Sequence, residues 1–228
     1  MATAKDMANI IRSMSSLLVE TDVVESDACN VLNTAASKLD SHRQSKDWYY
    51  EIAKSRPIVF KLSKSKKLGL VKVALSGEIR FSGSKENHEA AGFEKLNICF
   101  ECLDDKSNLQ ARWHVDLANI SDMQEESQEG PVFHIQFGGN SATNEDRSLD
   151  FKLDRPRWMY PPIDFILACE IVVANFFPDE WRELRKNVIW NSIIRDSEKF
   201  CLKPYFEKVA SDMNATGNGT LLGKLWSK

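Results

Sequence analysis

Between residues 163 and 177 only Asp164, Glu170 and Asn175 are strongly polar. A helix that is apolar on most sides has to be covered on most sides. At about 15 residues it falls short of the ~20 needed to cross a bilayer, and Glu170 would be costly in hydrocarbon. The stretch therefore predicts a core helix, and the rest of the chain has to supply its cover. Pro156, Pro161 and Pro162 exclude regular strand pairing just before it. Pro162 suits a first helical turn, and Asp164 suits the positive helix end.

The cover is legible as alternation. In 132–137, Phe133, Ile135 and Phe137 oppose Val132, His134 and Gln136; in 149–154, Leu149, Phe151 and Leu153 oppose Asp150, Lys152 and Asp154. Val71, Val73, Leu75, Ile79 and Phe81 alternate with polar or small residues, as do Leu96, Ile98, Phe100 and Cys102, and then Trp113, Val115 and Leu117. Gly77 is read as a bulge or hairpin bend, and Gly138-Gly139-Asn140-Ser141 as a turn. Short connections favour an antiparallel meander.

Residues 5–55 read as helical. Met7, Ile10, Ile11, Met14, Leu17 and Leu18 form one stripe, and Ala28, Val31, Leu32, Ala35 and Leu39 a second, with Ser26 and Asp27 as capping residues. Trp48, Tyr49 and Ile52 are read as a third, short helix ended before Pro57. After residue 178, Asp179 caps a run with Trp181, Leu184, Val188, Ile189 and Ile193 at helical spacing, and Pro204 interrupts it. The expected fold is α+β: N-terminal helices, a central antiparallel sheet of five or six strands, and C-terminal helices packed on one sheet face. The expected organisation is a helical segment over 1–56, a core domain over 57–211 and a flexible tail over 212–228. Phe133, Ile135, Phe151, Ile166 and Val173 should be deeply buried, with His134 and Phe133 on opposite sides.

The chain has 228 residues, a formal charge of −3, and an apolar fraction of 43%. That charge argues against a generally basic nucleic-acid coat. Five cysteines without framework spacing predict reduced thiols, and no basic-then-apolar leader is visible at the N-terminus, so a cytoplasmic location is expected.

If the apolar strand positions all face the helices, the opposite face carries Lys72, Glu78, Arg80, Lys95, Glu101, Arg112, His114, Asp116, His134 and Gln136. Imidazoles and carboxylates on one rigid face are the pattern for acid–base work, which makes His114, Asp116 and His134 the catalytic candidates. The alternative is a solvated outer face, normal for antiparallel sheets. Cys99 and Cys102 match CxxC, but in a strand their thiols point to opposite faces, and the histidines lack metal-site spacing. No metal or cofactor is expected. The basic-aromatic corner Arg155, Arg157, Trp158 and Tyr160 is a candidate for clamping a phosphate chain or stacking a base, or simply a packed corner. Leu222 and Trp226, with Leu221 and Leu225, are candidate partner contacts. Both chain ends are expected to serve association more than folding.

The His134-Gln-Phe-Gly-Gly run, followed by Arg155-Pro-Arg and by Pro161-Pro-Ile-Asp164 into the apolar helix, resembles small bacterial proteins of uncharacterised families over residues 130–205. The resemblance implies a prokaryotic cytosolic setting, such as a multi-gene phage-defence operon, and transfers no catalytic residue. The leading expectation is a non-catalytic accessory subunit whose partners are other subunits or a second copy of itself, with no membrane. The alternatives are a hydrolytic or nucleic-acid-directed enzyme on the polar sheet face, and nucleic-acid binding through Arg155 and Arg157.

Overall fold

The computed structural model describes residues 3–65, 69–83, 91–118, 130–138, 157–215, 217 and 219–227. Helices α1 (Ala4–Glu20) and α2 (Ala28–Asp40) lead into strands β1 (Asp47–Ile52), β2 (Ile58–Val59), β3 (Ser63–Ser65), β4 (Gly69–Ser82), β5 (Phe93–Asp104), β6 (Leu109–Leu117), β7 (Gly130–Pro131), β8 (Phe133–Phe137) and β9 (Trp158–Met159). Helices α3 (Phe165–Phe176), α4 (Pro178–Leu184), α5 (Val188–Asn214) and α6 (Leu221–Lys224) follow, and β10 (Trp226–Ser227) ends the chain.

Among the described residues the sheet is antiparallel and has eight strands. Six lie along the path β1-β4-β5-β6-β8-β9, and β2 and β3 also pair with β4. The alternation places Trp48, Tyr50, Ile52, Val73, Leu75, Ile79, Leu96, Ile98, Phe100, Val115 and Phe133 on one face. There they share a single apolar cluster with residues of α1, α2, α3 and α5. Helices thus cover one face, and the polar partners of the same strands form the other. Phe133, Ile166 and Val173 are buried as expected; Ile135, which pairs with Trp158 of the two-residue β9, is only half-buried. Phe151 lies outside the described residues, as do the expected strand over 149–154 and most of the Gly-Gly-Asn-Ser turn.

Several expectations are corrected. Trp48, Tyr49 and Ile52 belong to β1 rather than to a helix: Trp48, Tyr50 and Ile52 are buried while Asp47, Tyr49 and Glu51 are exposed, a two-residue period. Pro162 lies outside α3, whose N-cap is the fully buried Asp164, accepting from the Leu167 N–H at 2.9 Å. The run after residue 178 is two helices, because the Asn187 side chain caps the second by accepting from the Ile189 and Trp190 N–H groups. Pro204 does not interrupt α5, which runs through it from Val188 to Asn214. Asp27 occupies the N-cap position of α2, yet its carboxylate serves Arg56 at 2.7 and 2.8 Å instead.

The two ends are built into the fold. Thr3 and Asp6 form a reciprocal capping box on α1, and its stripe, including Met7, Ile11, Met14 and Leu18, is buried against the protein's own core. At the other end β10 pairs with β7, the Val132 N–H donates to the Leu225 carbonyl at 2.8 Å, and Leu225 is buried. The segment expected to be a flexible tail is docked, because one leucine of its apolar group finds cover beside the sheet.

Glu170, the unusual charge on α3, is also explained. Its two carboxylate oxygens accept the Trp181 and Trp190 indole N–H groups, each at 2.8 Å, with Arg185 at 3.6 Å. One acid therefore ties α3 to both α4 and α5.

Candidate functional site

The strand register arranges the polar face in rows, since directly opposed residues share a side of the sheet. One row runs Glu51, Glu78, Asn97, Asp116, His134, Met159 across β1, β4, β5, β6, β8 and β9. The next runs Ser76, Cys99, His114, Gln136, and a third Ala74, Glu101, Arg112. All three sequence candidates for acid–base work therefore share one face. His134 stands directly opposite Asp116, and His114 lies one row away. Phe133 and His134 fall on opposite sides, and so do Cys99 and Cys102.

Part of this face is out of water, while Glu51, Arg80 and Lys95 are exposed on it. His134 is 2% exposed, Arg112 7%, Cys99 7% and Ser76 5%. A cavity of about 200 Å³ is lined by Glu51, Lys54, Ser76, Glu78, Asn97, Cys99, Arg112 and His114, from β1 to β6. Side chains from β1, β4, β5 and β6, or just beyond them, share this depression. Gly77 sits at its base with φ +135°, and a Cβ on it would fall 2.0 Å from the Asn97 carbonyl oxygen. Gly77 lies inside β4 in register with Ile52 and Ile98, so it marks neither the expected bulge nor a hairpin bend but a positive-φ position suited to glycine.

Burial sets the chemistry. Asp116 accepts from the Asn97 amide at 2.6 Å, and burial pushes its carboxyl up to about 7 against the opposing pull of Arg157 and Asn97. Burial lowers His134 to about 4, with Arg157 acting in the same direction. The His134 Nδ1 lies 3.1 Å from the Pro131 carbonyl oxygen, which can only accept, so in the neutral ring Nδ1 carries the proton. That leaves the Nε2 lone pair toward Asp116, at 4.0 Å. Between about pH 4 and 7 the pair is a protonated acid beside a neutral imidazole rather than an ion pair. Burial, and then Glu101, raise the Cys99 thiol to about 12, so it is not a thiolate near neutral pH. Arg112 donates to Glu101 from Nε at 2.9 Å and Nη2 at 2.7 Å, and Lys54 stands 3.6 Å from the same oxygen.

The basic-aromatic corner divides. Arg155 lies outside the described residues, and Arg157 packs over Gly130 and acts on Asp116 and His134. Trp158 is 61% exposed, whereas Tyr160 packs against the core with its N–H on the Phe133 carbonyl. Leu222 and Trp226 are exposed at the docked C-terminal end, where Trp226 pairs with Pro131, the residue whose carbonyl faces the His134 Nδ1. Glu51 and Lys54 are missed from sequence because β1 reads as a helix. The Trp48, Tyr50, Ile52 alternation is the signal that finds them. Among the described residues no group of three or more His, Cys, Asp or Glu side chains is placed to hold a metal ion, and no helix is long and apolar enough to cross a membrane.

Comparison with protein-family models, with curated proteins and with solved structures finds no match for this chain.

Proposed function

We propose that the protein is a non-catalytic subunit of a larger cytosolic assembly, in the bacterial multi-gene setting that its resemblance implies, and that it associates through apolar side chains around β8. The observation that carries this reading is where those side chains sit. Tyr205 packs on Phe133 at 6.0 Å, and Phe206, 52% exposed, packs on Tyr205 at 5.4 Å. Trp226 pairs with Pro131 just before β8, and Trp158 pairs with Ile135 within it. Phe137, Trp158, Phe206 and Trp226 are all exposed, so large apolar side chains at solvent gather around one strand at the open side of the sheet. Among the described residues β9 pairs only with β8, which leaves a short strand edge beside them. Apolar patches flanking an edge are the usual material of partner contacts.

The test is affinity capture from the native cell together with light scattering of the pure protein, using Trp158→Glu/Phe206→Glu beside the parent. A partner or a dimer held by the parent and lost from the variant, at unchanged melting temperature, supports association. Equal capture and equal mass overturn it.

A second reading is favoured by one specific observation: the Asp116 carboxyl, near 7, faces the buried His134 on the polar face of the sheet. General acid–base catalysis works best with a group near the working pH. Hydrolysis of a nucleotide or nucleic-acid panel that disappears in Asp116→Asn would establish it. Nucleic-acid binding through the corner has less behind it, because the charge of Arg157 acts on Asp116.

A further inference from the structure

We infer that the first turn of α3 is a proton-operated latch: neutral Asp164 holds it against β1 and α5, and ionisation of that one carboxyl releases it. Asp164 is fully buried, yet among the described residues no cation pairs with it. The polar and titratable side chains that act on it or feel its charge are Tyr50 from β1, Ser197 and Cys201 from α5, and Cys169 from α3 itself. Burial, and then the Asp164 charge, push Tyr50, Cys169 and Cys201 up, so all three stay neutral near pH 7.

The Asp164 Oδ1 accepts from the Leu167 N–H at 2.9 Å, so in the neutral acid the proton sits on Oδ2, which is itself out of water. Burial raises the carboxyl, against the pull of the Ser197 hydroxyl and the capping N–H groups of Leu167 and Ile166. None of those is an opposite charge, so a carboxylate here is buried unpaired. The closed state holds a proton that the open state releases. Closure is therefore tightest at low pH and weakens as pH rises.

The fold makes this turn the part that moves. An ionised Asp164 reaches water only if the turn it caps leaves its seat. The buried Phe165, which packs on Tyr50 at 5.7 Å, and the buried Ile166 leave with it. Upstream, Pro161 and Pro162 have no N–H with which to hold the incoming chain to a neighbour. Downstream, Glu170 lies less than two turns on and ties α3 to Trp181 and Trp190, so release stops at that anchor. The turn that opens uncovers Cys201 on α5.

Alkylation of the full chain with iodoacetamide between pH 6 and 8, read at each cysteine by mass spectrometry, tests this. Cys201 is buried beside Asp164, whereas Cys99 and Cys102 on β5 report the sheet. Asp164→Asn keeps a capping oxygen and removes the titrating proton. Dividing the parent rate by the variant rate at each pH cancels the ordinary gain of thiolate. At Cys201 the quotient should rise with pH, by up to about tenfold per unit, and at Cys99 and Cys102 it should stay level. A level quotient at Cys201 overturns the latch. An equal rise at all three thiols overturns it too, because the whole domain then opens. Should Asp164→Asn not fold, the parent alone decides: its Cys201 rate relative to Cys102 should climb over the same range, and a constant ratio overturns the inference.

Discussion

Replacing Asp116 by asparagine tests whether the polar face is as dry as its geometry requires. The folded carboxyl titrates near 7 and an unfolded aspartate near 3.9, so the folded state holds a proton that the unfolded chain has released. Stability from this group is therefore greatest at low pH and falls as pH rises from about 4 through 7. Linkage puts the cost at about 1 to 2 kcal/mol at pH 5 and about 4 kcal/mol at pH 8. His134 has the opposite sign. Its folded value near 4 lies below the unfolded 6.5, so it costs about 2 kcal/mol at pH 5 and almost nothing at pH 8. Between those pH values the two nearly cancel in the parent, and deleting one exposes the other. Urea unfolding of Asp116→Asn and the parent at both pH values reads the difference directly. Asp164 is also pushed up by burial, but it is common to both chains and drops out. The advantage of Asp116→Asn over the parent should grow by about 2 to 3 kcal/mol from pH 5 to pH 8. The advantage of His134→Gln should shrink by about 2 kcal/mol over the same interval. A difference independent of pH would mean that Asp116 is solvated, and the account of the polar face would fail.

Glu170→Ala removes the acceptor of two indole N–H groups and leaves the buried Trp190 indole unsatisfied; a loss of about 4 kcal/mol, and about 10 °C in melting temperature, is expected by calorimetry. Glu170→Gln, which keeps one good acceptor, should lose about half as much. Gly77→Ala forces a Cβ into the Asn97 carbonyl at a φ unsuited to alanine, so unfolding should cost about 3 kcal/mol less, read as a lower urea midpoint. Ending the chain at residue 219 uncovers the site of Leu225 and should destabilise the protein by about 2 kcal/mol, where a detached tail would cost nothing.

The sequence made the faces of β4, β5, β6 and β8 legible because alternation is a local property, and each strand carried enough large apolar residues to set its phase. Element type was less secure where two periods fit the same residues. Trp48, Tyr49 and Ile52 satisfy a helical turn, and only the inclusion of Tyr50 shows the strand. Pro204 looked like a stop because proline removes one helical hydrogen bond, yet a helix of 27 residues with buried Trp190, Ile193, Ile194 and Cys201 before the proline and Tyr205 after it absorbs that loss. The docked C-terminus depends on a two-residue pairing with Pro131, which leaves no periodic trace. Glu170 was visible as an anomaly, but its two partners lie 11 and 20 residues away.

The site was legible as composition and not as environment. Period two put His114, Asp116 and His134 on one face, and the same reading allowed that face to be ordinary solvated surface. What separates the two cases is burial, and burial is set by what the fold lays beside each side chain rather than by the strand pattern. Asp116 and His134 lie beside Arg157 and the Pro131 carbonyl, outside the cavity, whereas Cys99 lines it. Burial then raises Asp116, lowers His134 and keeps the Cys99 thiol protonated, so the same cause acts at two places on one face. A strand pattern gives the side of the sheet on which a carboxylate falls; it does not give the segments, distant in sequence, that take it out of water.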